Sequence, residues 1–126
     1  MASKLDLRPE IKTENNKHTS AEERFQNETL RGILKLQNNL ILALFSTYIS
    51  ESKNSFHNLS KENRELFIES SIQKNMALKN KLLGMTIGMF TSEEFDVYSH
   101  DSRGFNKRII SMIITRIMSQ INLLTQ

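Results

Sequence analysis

The stretch LRGILKLQNNLILALFSTYI, residues 30–49, decides how the chain folds. Its apolar side chains at positions 30, 33, 34, 40, 41, 44, 45 and 48 return at spacings of three and four, the period of an α-helix and not the alternation of a half-buried strand. No proline interrupts them. Upstream, Ser20 followed by Glu23 has the form of a capping box, in which the serine oxygen accepts from an orphan amide and the glutamate accepts from the amide of the cap residue. The predicted first helix therefore runs from about residue 20 to about residue 51, and SESKNSFHN, residues 50–58, supplies the turn after it.

The same reasoning extends downstream. Ser60, with Glu62 in the following turn, starts a second predicted helix, along which apolar residues at 68, 72, 76, 83, 87 and 90 form one stripe. Thr91 or Ser92 then caps a short third helix, with Glu93 and Glu94 in the first turn, where carboxylates favour the helix dipole. Residues 100–104 read as a break, because Asp101 or Ser102 can cap a new helix and Gly104 is a poor interior residue. The last helix carries Phe105, Ile109, Ile113, Ile117, Ile121 and Leu124. The expected fold is all-α, an antiparallel helix bundle of three long helices plus one short helix. It occupies residues 19–126 as a single domain, after a flexible N-terminal tail of residues 1–18 that holds Pro9, the sole proline.

At 126 residues the chain fits one domain, which can bury roughly two-thirds of the surface its unfolded form exposes. Cysteine is absent, which removes disulfides, thiolate metal sites and cysteine nucleophiles. The longest uninterrupted apolar run, LILALF at residues 40–45, is far shorter than the ~20 residues of a membrane span, and the start lacks a signal-peptide core. A cytoplasmic protein without a membrane span is expected. The net charge of +3 is spread evenly: residues 1–59 hold eight basic and seven acidic side chains, residues 60–126 nine and seven. That balance disfavours a long-range field for nucleic acid.

Within KLLGMTIGMF, residues 81–90, Gly84 and Gly88 stand four apart and fall within about 40° of each other on a helix. The run is too short for a membrane dimer face and has neither phosphate-loop pattern. A close helix crossing is the expected use, with a helix end at Gly84 as the alternative. The apolar arcs are also wide. From Phe105 to Leu124 they cover about 240°, and the first helix is similar, whereas one buried side needs little more than about 100°. A lone chain can bury one such helix centrally but not both, so self-association is expected.

Three groups of polar residues carry the remaining chemistry. Glu93, Asp96 and His100 share one helical face and could offer two carboxylates and an imidazole to a divalent cation, although an acidic first turn has a sufficient structural cause. His18 and His57 have no partner visible in the sequence. Arg103, Lys107 and Arg108 form a small basic group, and Arg116 points inside an apolar arc. There it can lay its stem over apolar surface, pair with an acid, or bind an anionic ligand between helices.

At ETLRGILKLQNNLILALFSTYI and GFNKRIISMIITRIMSQINLL the chain resembles a small group of uncharacterised helical bacterial proteins that often carry the label glyoxalase, over about residues 20–124. The resemblance implies a helical fold and brings no residue with a chemical role. Glyoxalase I enzymes themselves are built of βαβββ modules with His and Glu metal ligands, a pattern from which this sequence departs. The expected function is that of a non-enzymatic interaction or scaffold protein, needing no cofactor, whose partner is a second copy or another helical protein. Ile41, Leu44, Phe45, Tyr48, Ile113, Ile117 and Ile121 are expected at its core or interface. The alternatives are a divalent-metal-dependent enzyme of the lyase type and a weak nucleic-acid-binding protein acting through Arg103, Lys107, Arg108 and Arg116.

Overall fold

The computed structural model describes residues 4–9, 21–52 and 55–124, and every regular element among these is helical. The first helical run comprises α1 (Ala21–Phe25), a π-helical turn (Gln26–Leu30), α2 (Arg31–Leu36) and α3 (Asn38–Glu51). Its one departure from helical geometry is Gln37, at φ −95° and ψ 10°. The backbone ladder persists through it, with Gln37 N donating to Ile33 O at 3.0 Å and Ile41 N to Gln37 O at 2.9 Å. The Gln37 side chain leaves the helix and donates to Met85 O at 3.2 Å. The expected cap at Ser20 lies outside the described residues.

The second predicted helix is two helices, α4 (Lys61–Lys74) and α5 (Met76–Ile87). Ser60 caps α4 by accepting from Asn63 N at 3.2 Å. The break falls at Asn75, whose backbone is extended and whose Oδ1 accepts from Leu78 N at 3.1 Å. A short amide side chain competes with the helical ladder and satisfies the new helix start instead, which is why asparagine can end one helix and begin the next. The short α6 (Ser92–Ser99) starts at Thr91 with a complete capping box: Glu94 N donates to the threonine hydroxyl, and Thr91 N donates to the Glu94 carboxylate. A break before α7 (Ser102–Met118) is present, and Asp101 is the residue that caps it. Its Oδ1 accepts from Gly104 N at 3.1 Å, and a Cβ on residue 104 would overlap that carboxylate, so the glycine makes room for the cap. The last helix stops at Met118, and Ile121, half-buried, opens a separate 3₁₀ turn (Ile121–Leu123).

Contacts give the directions of these helices. Phe25 meets Phe105, Gln26 meets Arg108, and Asn38 meets both Arg116 and Gln120, so α7 advances along the first run in the same sense. Gln37 meets Met85 while Thr29 meets Glu94, so the chain from α5 to α6 advances in the opposite sense. On α7, Phe105, Ile109, Ile110, Ile113, Ile114 and Ile117 are all buried, and the helix packs against α4, α5 and α6. Its wide apolar arc is thus covered from several sides by one chain. α7 is the central helix.

The first run fares differently. Ile33, Leu34, Ile41, Leu42, Phe45 and Ile49 are buried, and Leu44 and Tyr48 are half-buried against them. Leu36 and Leu40 stay outside, at 39 % and 59 % exposure.

Among the described residues no other helix crosses closely at the glycines. A Cβ built on Gly84 meets no atom within 4 Å among the described residues, and Gly88 caps the end of α5 instead. Both are exposed because the apolar stripe of α5, through Leu78 and Leu82, turns its other side to the core. Gly84→Ala should therefore raise the unfolding free energy by about 0.5–1 kcal/mol, since alanine loses less backbone entropy in a helix interior. A denaturant titration checks this, and a loss of stability would restore the close crossing.

Candidate functional site

The expected packing residues divide between core and rim. Ile41, Phe45, Ile113 and Ile117 are fully enclosed, while Leu44, Tyr48 and Ile121 are half-buried. What the outer surface of α3 holds instead is a strip free of charge. Between Lys35 and Glu51 no acidic or basic residue occurs. The exposed members of that stretch are Leu36, Asn39, Leu40, Ala43, Thr47 and Ser50. Beside them a groove of about 460 Å³ runs between Ala43, Ser46 and Thr47 on one wall and Leu123, 62 % exposed, on the other. In a protein with a quarter of its residues charged, a helical surface without one charged side chain from Leu36, at the end of α2, to Ser50 in α3 is distinctive. The signal was available in the sequence as a charge-free run, but counting apolar residues alone hides it.

The basic residues do not form one patch. Arg103 and Lys107 border a groove with Lys79 of α5, whereas Arg108 and Arg116 lie on the other side of α7. There, Arg116 of α7 and Arg31 of α2 line a cleft of about 540 Å³. Leu34 and Met112 give it an apolar lining, and Ser111, Thr115 and Ser119 give it hydroxyls. Among the described residues no carboxylate lines it and none lies within ion-pairing distance of either arginine. Burial, and then the charge of Arg31, push the Arg116 guanidinium below its ordinary pKa. An amide pair holds Arg116 in place. Asn38 and Gln120 exchange two hydrogen bonds of 2.8 Å, Gln120 Nε2 also donates to Arg116 O at 3.0 Å, and Arg116 Nη1 donates to Asn38 Oδ1 at 3.3 Å. At the neighbouring edge Gln26 accepts from Arg108.

Glu93, Asp96 and His100 are exposed along α6, and no group of three potential metal ligands comes together among the described residues. The His100 ring, through Nδ1, instead approaches the backbone oxygen of Asp96 at 2.6 Å, an engagement with its own helix end. Glu94, one residue along, is the acid that the fold uses. Arg8 donates to both its oxygens, at 2.6 and 2.7 Å, and also to Met89 O at 2.6 Å. Thr29 adds a hydroxyl at 3.2 Å, and Lys4 Nζ donates to Phe90 O at 3.0 Å. The Arg8 stem passes over Gly32. Residues 4–9 of the expected flexible tail are thus docked across the α5–α6 junction, while residues 10–18 lie outside the described residues.

No helix among the described residues is long and apolar enough to cross a membrane. Comparison of the chain with protein-family models, curated proteins and solved structures finds no match.

Proposed function

We propose that the protein works by association, as a helical interaction protein whose first partner is a second copy of itself, joined through the outer face of α3. The charge-free strip carries this reading. Interface centres are depleted in charged residues, and a strip without charge offers no electrostatic preference for a foreign partner. A two-fold axis lets one helix face pack on its own copy, each exposed leucine entering the neighbour's groove. Leu36 and Leu40 supply apolar area, and Ala43, Ser46 and Thr47 are small enough for backbones to approach. The order of burial supports the same face: α7 exhausts its apolar arc inside the chain, and the first run does not.

Light scattering coupled to size exclusion tests this. The expected result is a dimer that Leu40→Glu and Ala43→Arg convert to monomers with unchanged helical circular dichroism. A wild-type monomer throughout the micromolar range, or a dimer indifferent to both substitutions, would remove the reading.

A further inference from the structure

We propose that the cleft between α2 and α7 binds a small organic phosphate, its phosphoryl group held between the guanidinium groups of Arg31 and Arg116 and its organic part resting on Met112. The cleft is separate from the α3 strip and does not depend on association. Its size, about 540 Å³, is that of small-molecule sites, which run from roughly 300 to 1,000 Å³. Such sites combine an apolar lining with a few convergent polar groups, and here Leu34 and Met112 are the former, the arginines and hydroxyls the latter.

Charge selects the ligand class. Two guanidinium groups share the cleft with no carboxylate lining it among the described residues, so the arrangement matches two negative charges. A phosphate monoester carries about −1.5 to −2 near pH 7, and a carboxylate only one. The planar fork of arginine also suits paired phosphate oxygens. Arg116 does not have to be ordered by the ligand, because the Asn38–Gln120 pair already fixes both its backbone oxygen and its guanidinium. The like charge of Arg31 and partial burial both oppose the Arg116 cation, and an anion between the two reverses the first and offsets the second. A polynucleotide would need cations along a continuous track, yet Arg103 and Lys107 face away into the groove of Lys79.

Isothermal titration of the full chain with phenyl phosphate, inorganic phosphate and benzoate is the test. Phenyl phosphate should bind saturably at one site per chain, more tightly than either of the others. Arg31→Gln and Arg116→Gln should each weaken it about tenfold or more, as loss of a charge-assisted hydrogen bond does. Arg103→Gln, in the other groove, should leave it unchanged. Arg31 is exposed and makes no ion pair among the described residues, so its substitution decides the matter even if Arg116→Gln fails to fold. Absence of saturable binding, or equal sensitivity to Arg103→Gln, would overturn the proposal. So would benzoate binding as tightly as phenyl phosphate. Tight binding only to vesicles containing phosphatidic acid would assign the phosphate to a membrane surface, and tight binding only to an oligonucleotide would assign it to nucleic acid; either outcome refutes a small-molecule site.

Discussion

Replacement of Ile113 by alanine should lower the unfolding free energy by about 4 kcal/mol, in the upper half of the range for truncating a buried isoleucine. The cost of such a change depends on whether neighbours can collapse into the space left. Ile113 lies in the second half of α7, fully enclosed, and α7 packs against α4, α5 and α6 while Phe105, Arg116 and, just past its end, Gln120 tie it to the first run. Movement toward the cavity from one side would open a gap on another, so the cavity stays. For a domain of this size the loss corresponds to a fall in melting temperature of roughly 10–20 °C. Ile121→Ala is the contrast. Ile121 is half-buried in the turn beyond α7, and its truncation should cost only about 1 kcal/mol. Thermal and denaturant melts of both variants check the pair, and equal losses would show that α7 is not the central helix.

The features that were legible in the sequence act over three or four residues. Ser60, Thr91 and Asp101 cap their helices because a short polar side chain reaches an amide three positions on, and spacing alone displays that. The helical period of the first run survives Gln37 because the backbone ladder does. At Asn75 the same method fails: apolar residues at 68, 72 and 76 continue the stripe across the break, so periodicity cannot register a change of direction. Gly84 and Gly88 share a sector of α5, as the spacing indicates, but whether anything lies opposite that sector is a tertiary fact. The pairing of Arg8 with Glu94 spans 86 positions, and Arg31 and Arg116 are brought together over a similar distance. No local pattern encodes either. Arg116 could be singled out because an arginine inside an apolar arc needs a reason, and the structure supplies that reason in residues 31, 38 and 120.

Glu94→Ala should cost about 2–4 kcal/mol, more than Arg8→Met, because the two residues stand in different relations to the fold. Side-chain exposure is 6 % for Arg8 and 14 % for Glu94, so removing either partner strands a charge in a poorly hydrated place. With Glu94 gone, α6 loses its capping box, Thr29 loses its acceptor, and Arg8 must lift residues 4–9 away to reach water. With Arg8 gone, the carboxylate still accepts from the Thr91 amide and the Thr29 hydroxyl, and the loss should stay near 1–2 kcal/mol. The pH dependence follows from the same contacts. Burial raises the pKa of the Glu94 carboxyl, but the Arg8 hydrogen bonds, the Thr91 amide, the Arg8 charge and the Thr29 hydroxyl together outweigh it and hold the group below its ordinary value. A carboxyl depressed by folding contributes stability that is complete above its unfolded pKa and is lost as pH falls through the folded one. The gap in melting temperature between wild type and Glu94→Gln should therefore be full at neutral pH and shrink as acid takes the wild type below the carboxylate range. The protection of the amides in residues 4–9, taken relative to the intrinsic exchange rate at each pH, should fall over the same interval, since protonation releases the arm before the helices unfold. A gap that stays constant from neutral to acidic pH would mean that Glu94 supports the fold through shape alone.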